Sequence, residues 1–286
     1  MSVTGGNRMA AAVVALSLAA MTATATAGEP DFGDAIVASS PPARVIGEHA
    51  RGCLGGGEAL PLDGDGWQVM RPSRNRFWGH PELIAFVSAF AAQVRAEGWT
   101  GLLIGDLAQP RGGPMSSGHR SHQTGLDVDI WFLEAPPLPM AQREQISAVS
   151  MVAEGGDDLS AAWTDGHARL LYTAALYPQV DRIFVNPAIK RALCRSIDGD
   201  REWLRKLRPW WGHDAHFHVG LHCPAGDADC RERTPPVPAG DGCDASLDWW
   251  FSAEAREELR KGSGAPRPRP TIDDLPAACR IVLSGD

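Results

Sequence analysis

Two separated stretches of the chain contain five of its nine histidines. The first, SSGHRSHQTGLDVDIW over residues 116–131, places His119 and His122 shortly before Asp129. The second, RPWWGHDAHFHV over residues 208–219, adds three more: His213, His216 and His218. Imidazole nitrogens and carboxylate oxygens are ligands that zinc prefers in proteins. We therefore predict that the two stretches meet at one metal ion.

Three of these side chains match the ligand set of a catalytic zinc site, which has three protein ligands and an open position for water. His122, Asp129 and His218 would supply this set if the two stretches lie side by side. His216 and His213 would then lie next to the open position, where an imidazole can act as general base or stabilise an oxyanion. Zinc lowers the pKa of bound water to about 7. The pattern therefore predicts amide hydrolysis at neutral pH.

Alternation of polar and apolar residues predicts a strand in each half of this site. Over residues 126–133 the alternation places Asp127 and Asp129 on one face, and over residues 216–221 it places both histidines on one face. Side chains on the same face of neighbouring strands lie about 5 Å apart, which suits two ligands of one ion. We expect Asp127 to hold one of the ligand imidazoles, because metal sites usually require such a partner.

The N-terminus predicts export of the chain. A single positive charge at Arg8 precedes an apolar run over residues 10–20, and Ala25-Thr26-Ala27 has the small-x-small form of a secretory cleavage site. The run is short and rich in alanine and threonine, whereas a membrane anchor requires roughly 20 predominantly apolar residues. We therefore expect a signal peptide over residues 1–27 that is cleaved near Ala27, and no membrane association of the mature chain.

Charge and cysteine content limit the partners of the exported chain. The full sequence has a net charge of −8, and removal of the signal peptide with Arg8 makes the mature chain more negative, so binding to nucleic acid or to anionic membranes through bulk charge is not expected. Six cysteines in an exported chain indicate disulfides, and their spacing contains no Cys-x2-Cys pair of the kind found in thiolate zinc sites. Six cysteines allow fifteen pairings, among which the residues alone do not choose.

The remaining sequence predicts a mixed fold of helices and short strands. Helices are predicted over residues 81–97, 140–152, 163–177, 187–193, 201–207 and 248–259, and further strands over residues 102–107 and 182–185. Residues 28–72 are expected to be an irregular arm, and residues 224–286 a proline-rich tail without a second apolar core. We predict one α+β domain over residues 28–286, with a small antiparallel sheet that bears the zinc site, flanking helices and disulfide-fastened irregular ends.

The two histidine stretches, together with RIFVNPAIKRALC between them, resemble the penicillin-insensitive murein endopeptidases, zinc peptidases of the LAS group that cut cross-links in bacterial peptidoglycan. The resemblance covers most of residues 50–280. It implies that the zinc ligands are His122, Asp129 and His218. It also implies that the two further essential histidines are His216 and His213. It also implies three disulfides: Cys53–Cys279, Cys194–Cys243 and Cys223–Cys230.

A second metal position is a further expectation from the resemblance. In the family it uses the histidine equivalent to His119 together with an aspartate and a histidine later in the chain. Here the corresponding stretch, AEGGDD over residues 153–158, has no histidine. Either Asp157 or Asp158 would complete a site with His119, or His119 would contact substrate or support another ligand instead.

The resemblance implies a periplasmic zinc metallopeptidase that hydrolyses the D-alanyl to meso-diaminopimelyl amide of peptidoglycan cross-links. A zinc D,D-carboxypeptidase or dipeptidase acting on uncrosslinked stem peptides is an alternative, and so is a non-catalytic protein that only binds peptidoglycan. An iron oxygenase would use two histidines and a carboxylate in a facial triad, but ferrous iron suits an oxidising exported protein poorly. Trp210 and Trp211 are expected either to line a substrate groove or to pack in the core.

Overall fold

The computed structural model describes residues 1–2, 31–116, 119–262 and 268–286. Residues 3–27 of the predicted signal peptide lie outside the described residues. The strands are β1 (Arg44–Glu48), β2 (Arg51–Gly55), β3 (Glu58–Ala59), β4 (Asp63–Gly64), β5 (Trp67–Val69), β6 (Trp78–Gly79), β7 (Leu102–Ile104), β8 (Asp127–Trp131), β9 (Val180–Val185), β10 (Leu207–Pro209) and β11 (His216–Leu221). The helices are α1 (Pro81–Ala96), α2 (Met140–Gln145), α3 (Asp165–Leu176), α4 (Pro187–Ser196), α5 (Ala245–Trp249), α6 (Ala253–Gly262) and α7 (Cys279–Ser284). Short 3-10 helices span Phe32–Asp34, Pro72–Arg74, Glu202–Lys206 and Ile272–Asp274.

A seven-stranded sheet in the order β10-β9-β11-β8-β7-β5-β4 forms the centre of the fold. Neighbouring strands from β9 to β7 are antiparallel, whereas β10 pairs with β9 and β5 pairs with β7 in parallel. The predicted α+β class is confirmed, and β8 and β11, which carry Asp129 and His218, are antiparallel as expected. The sheet is larger than predicted because β4 and β5 come from residues 63–69, which the sequence predicts to be irregular.

β8 and β11 lie side by side in a register that joins the two halves of the predicted site. His218 lies opposite Asp129, and Gly220 lies opposite Asp127. The intervening apolar residues of both strands are fully buried: Val128, Ile130, Phe217 and Val219. The two strands therefore present their polar residues on one face and contribute to the hydrophobic core on the other.

The main hydrophobic core contains the apolar residues of α1 and α3 packed with those of the sheet. The predicted apolar stripe of α1 is confirmed by its buried residues: Leu83, Phe86, Val87, Phe90 and Val94. Each of these side chains contributes about 1.5–3 kcal/mol by leaving water. Pro81 occupies the first turn, and the His80 side chain accepts a hydrogen bond from the Glu82 backbone N–H. These two features set the residue at which the helix begins.

Two helices differ from their predicted bounds by more than three residues. The helix predicted over residues 140–152 ends at Gln145, and the Ser150 hydroxyl accepts a hydrogen bond from the backbone two residues later, which favours a turn over a helix. The helix predicted over residues 248–259 is divided into α5 and α6, because the Ser252 side chain caps the start of α6.

The two ends of the chain form a second, smaller apolar cluster. β1 and β2 pair as an antiparallel hairpin, and α7 packs against β2. The buried members of this cluster are Phe32, Ile46, Cys53, Leu275, Cys279, Val282 and Leu283. Both ends are fastened by disulfides as predicted, but they contain more strand and more buried apolar surface than the sequence indicates. Each contributing segment is too short to show periodicity, and the two ends lie far apart in sequence.

The three disulfides that the resemblance implies are present: Cys53–Cys279, Cys194–Cys243 and Cys223–Cys230. The first joins the β1–β2 hairpin to α7, the second joins α4 to the segment before α5, and the third closes the loop after β11. All five residues of β8 are buried, including its carboxylates. Within the described part of the chain, no helix is long and apolar enough to cross a membrane.

Candidate metal centre

Asp129 lies at the centre of a cluster of four histidines. Its Oδ1 atom is 3.0 Å from His218 Nδ1, 3.3 Å from His122 Nε2 and 3.8 Å from His216 Nε2. Its Oδ2 atom is 3.6 Å from His119 Nδ1. The two predicted halves of the site therefore meet at one carboxylate. We call these five residues the histidine cluster.

The local backbone explains how the loop before β8 reaches this carboxylate. His122 has a positive φ of 67°, a conformation that non-glycine residues rarely adopt. Its backbone N–H donates to Asp127 Oδ2 at 3.2 Å, which holds the strained residue in place. Strain of this kind persists only when the surrounding structure fixes it, and it is common at functional sites.

The histidine cluster has the properties of a metal-binding site. His119, His122 and Asp129 offer ligand atoms that lie within 4.8 Å of one another, so they could hold a metal ion. Both ring nitrogens of His122 are buried and form no hydrogen bond of good geometry among the described residues, although Nε2 lies 3.3 Å from Asp129 Oδ1. A buried polar atom without a partner costs about 1–3 kcal/mol. A cation beside His122 would satisfy one of these nitrogens, so the residues present fit a bound metal.

The predicted ligand set of His122, Asp129 and His218 overlaps with this group. The rings of His122 and His218 have centroids 4.6 Å apart, and His218 directs Nδ1 at Asp129. The structure therefore brings all three predicted ligands together and adds His119 on the other oxygen of Asp129.

Electrostatics favour a negative charge at the centre of the cluster. Burial alone would raise the pKa of Asp129, but the neighbouring imidazoles of His122 and His216 hold it well below its usual range. Burial also opposes protonation of His218, but its hydrogen bonds to Asp127 and Asp129 raise its pKa to about 8. Asp129 is therefore a carboxylate at neutral pH, as a cation ligand must be.

The two predicted catalytic histidines lie on the more open side of the cluster. The side chain of His216 is 28% exposed, and its ring centroid is 5.0 Å from that of His213. His213 has a φ of 51°, and its carbonyl accepts a hydrogen bond from the Asn186 backbone N–H. Burial and the charges of His218 and His216 lower the pKa of His213 to about 3. His213 is therefore a neutral imidazole at neutral pH.

A buried polar layer lies behind the histidine cluster and consists of Asp127, His49 and Arg233. Asp127 is fully buried and approaches His218 Nε2 at 2.8 Å and His49 Nδ1 at 2.8 Å. Arg233 Nη2 donates to the same carboxylate. The predicted contact between Asp127 and an imidazole is present. Burial would raise the pKa of Asp127, but the charges of Arg233 and His49 hold it well below its usual range.

Comparison with known proteins identifies the family. Residues 45–284 match the sequence model described as penicillin-insensitive murein endopeptidase. The chain belongs to this family. A protein of that name from Klebsiella pneumoniae subsp. pneumoniae is 43% identical over 244 residues, which cover 84% of this chain and 86% of the relative. A protein of the same name from Salmonella newport is 42% identical over the same shares of both chains. The resemblance predicted from the two histidine stretches is confirmed.

In this member of the murein endopeptidase family, His119 lies beside two carboxylates, Asp106 and Asp129. Its Nε2 atom lies 3.4 Å from Asp106 Oδ2. Asp157 instead pairs with Arg256 at 2.8 Å. Burial and the neighbouring His122 lower the pKa of His119 to about 4. The carboxylate nearest to a second metal position at His119 is therefore Asp106, two residues after the end of β7.

A cleft of about 90 Å³ opens beside the cluster in this murein endopeptidase fold. Its lining residues are Met70, Arg71, Arg74, Gly105, Asp106, His119, Asp129, Trp131 and His216. A larger cavity of about 450 Å³ lies between the end of α1 and the start of α3, and its lining includes no member of the histidine cluster. We place the site at the smaller cleft, because that is where the titratable groups converge.

Trp210 and Trp211 lie outside the hydrophobic core, which is one of their two predicted locations. Trp210 is 53% exposed and lies 5.7 Å from the ring of Phe184. Phe184 in turn contacts His213 and His218, with centroids 5.9 and 5.5 Å away. Trp211 is half-buried. An aromatic surface therefore borders the histidine cluster in this member of the family.

Proposed function

We propose that this chain is a zinc metallopeptidase that hydrolyses the D-alanyl to meso-diaminopimelyl amide in peptidoglycan cross-links. The observation that supports it best is that four imidazoles surround the single carboxylate of Asp129. One of them, His122, has no other partner for its buried ring nitrogens. The names of the family and of its curated relatives support the substrate.

His122, Asp129 and His218 would hold the zinc ion. Two imidazoles and one carboxylate are a known ligand set of catalytic zinc peptidases. Bound zinc supplies Lewis acidity toward a carbonyl oxygen and toward water. Asp127 would orient His218 through Nε2, because a hydrogen bond at one ring nitrogen fixes which nitrogen faces the metal.

His216 is the proposed general base. Its Nε2 atom lies 3.8 Å from Asp129 Oδ1 and its side chain reaches the surface, so it can contact both the site and a substrate. It would accept the proton of the attacking water and return it to the amine as the carbon–nitrogen bond breaks. His213, neutral and packed against His216, would hold that ring in place. The proposed reaction forms no acyl-serine intermediate, so a β-lactam would have no catalytic serine to acylate.

The proposed location is the periplasm, after cleavage of a signal peptide near Ala27. The disulfides support this location, because such bonds persist in oxidising compartments. The substrate, peptidoglycan cross-link peptides, is found there.

The test compares two substitutions in protein purified without added metal. His122→Ala should lose both zinc and activity, whereas His216→Ala should keep zinc and lose turnover by about 10²–10⁴-fold. Metal analysis and chromatography of muropeptide dimers and monomers measure the two effects. His222→Ala, an exposed histidine outside the cluster, serves as the control and should keep both.

Several outcomes would contradict the proposal. Conversion of dimers at the wild-type rate by His216→Ala would remove the role of that residue. Removal of terminal D-alanine without dimer cleavage would instead assign a carboxypeptidase, and unchanged muropeptides would assign a binding protein. One zinc ion per chain is expected. A second ion that is lost in His119→Ala would assign His119 to a second metal site.

A further inference from the structure

We infer that Arg71 binds the substrate carboxylate that lies next to the scissile amide. This inference rests on the proposed function and names a group that selects the substrate. Arg71 lines the cleft of about 90 Å³ together with Asp129 and His216. A side chain at this position can therefore reach a substrate bound at the histidine cluster.

Arg71 differs from the other two arginines of its loop. Arg74 and Arg76 both contact Asp106, at 3.4 and 2.9 Å. The Nε atom of Arg71 is instead buried and has no hydrogen-bond partner among the described residues. Buried polar groups in folded proteins nearly always have a partner, so an exception at a cleft indicates a group that a ligand satisfies. Arg71 forms no salt bridge among the described residues, although its charge interacts with the Glu144 carboxylate at longer range.

The backbone and a neighbouring ring hold Arg71 in a defined position. Arg71 has a φ of 53° and precedes Pro72, a combination that is sterically disfavoured for a non-glycine residue. Its backbone N–H donates to the Arg143 carbonyl at 3.2 Å. Its guanidinium lies 5.9 Å from the centroid of Trp131, which also lines the cleft. These contacts hold the guanidinium at the cleft wall, and its Nε atom has no hydrogen-bond partner among the described residues.

The chemistry of the cross-link supplies the matching group. In a D-alanyl to meso-diaminopimelyl amide, the carbon bonded to the scissile nitrogen also carries a free carboxylate. Arginine binds a carboxylate through two parallel N–H···O bonds, and its Nε and one terminal nitrogen can form such a pair. Binding at Arg71 would place the scissile amide beside the histidine cluster, so Arg71 would select peptides that retain this carboxylate.

The experiment uses two cross-linked muropeptide dimers that differ only at this carboxylate, one free and one amidated. The wild-type, zinc-loaded protein should cleave the amidated dimer with a kcat/KM about 10- to 100-fold lower, mainly through a higher KM. Arg71→Met should cleave both dimers equally, at about the rate of the wild-type protein on the amidated dimer. Arg71→Lys should recover part of the preference, because it restores the charge without the paired donors.

The controls separate this inference from the proposed function. Arg169→Met changes an exposed arginine of α3, outside the cleft, and should keep the wild-type preference. Calorimetric binding of both dimers to His216→Ala, with and without Arg71→Met, gives a second readout that needs no cleavage. A wild-type preference retained by Arg71→Met in either assay would overturn the inference. Absence of dimer cleavage by the wild-type protein would instead overturn the proposed function, and the binding preference would still test Arg71.

Discussion

Asp127 and Asp129 lie two residues apart on β8, and both are buried, but their surroundings differ. The oxygens of Asp127 lie within 2.8 Å of His218 and His49 and also accept a hydrogen bond from Arg233. Asp129 forms one well-aligned hydrogen bond with an imidazole, to His218 at 3.0 Å, and three further imidazoles lie 3.3 to 3.8 Å away. The carboxylate of Asp127 is thus hydrogen-bonded to protein side chains on both oxygens, whereas most of the imidazoles around Asp129 lie farther away.

The difference separates a supporting role from a binding role. Short hydrogen bonds in a buried layer fix side chains in one arrangement, and removal of any member leaves another group without its partner. Longer separations around Asp129 leave ligand atoms that converge on one carboxylate without being hydrogen-bonded to it, as the distances to His119 and His216 show. His218 belongs to both regions, since Nδ1 faces Asp129 and Nε2 faces Asp127. The buried polar layer therefore sets the orientation of the histidine cluster.

Asp127→Asn should have the largest effect among the substitutions that test this difference between Asp127 and Asp129. The change leaves the guanidinium of Arg233 largely buried and without its counter-charge, and an arginine cannot lose its proton to relieve this. Loss of one partner of a buried pair costs about 3–5 kcal/mol. We expect that loss in the unfolding free energy, measured by urea titration of metal-free protein. Zinc affinity should also fall by about 10- to 100-fold, because His218 loses the contact that orients it.

Asp129→Asn should affect activity more than stability. Two of its neighbours, His119 and His216, reach the surface, so water can replace part of the lost interaction. We expect cleavage of muropeptide dimers to fall by about 10²–10³-fold, with a smaller loss of unfolding free energy than Asp127→Asn shows in the same urea titration. Equal destabilisation by the two substitutions would mean that both carboxylates are structural.

The sequence predicts the parts of the site that have a local pattern. Alternation over β8 and β11 is sufficient to place Asp129 and His218 on one face, and the register confirms that they lie opposite each other. The strong periodicity of α1 is sufficient to predict its buried stripe. In each case the signal is contained within one element, so it is visible without knowledge of the partner segment.

The buried polar layer has no such signal. His49 and Arg233 lie 78 and 106 residues from Asp127 and come from the two ends of the chain, which lack periodic apolar positions. A lone histidine in an irregular segment is most often a surface residue, and nothing in the sequence pairs it with a distant carboxylate. The disulfides show the same limit, because the residues allow fifteen pairings and only the family resemblance selects one. Contacts between distant segments depend on the assembled fold.

Arg233→Met tests whether the buried polar layer depends on the tail of the chain. Gly220, opposite Asp127 in β11, leaves room for this arginine, since a Cβ atom there would lie 2.4 Å from Arg233 Nη1. Methionine keeps most of the apolar stem but removes the charge-assisted hydrogen bond, which contributes about 1.5–3 kcal/mol. Asp127 keeps His49 and His218, so the loss of unfolding free energy should be smaller than that of Asp127→Asn.

Arg231→Met, an exposed neighbour in the same loop, is the matched control and should change stability by less than about 0.5 kcal/mol. If both variants unfold at the wild-type urea concentration, the tail does not support the layer, and Asp127 depends on the histidines alone.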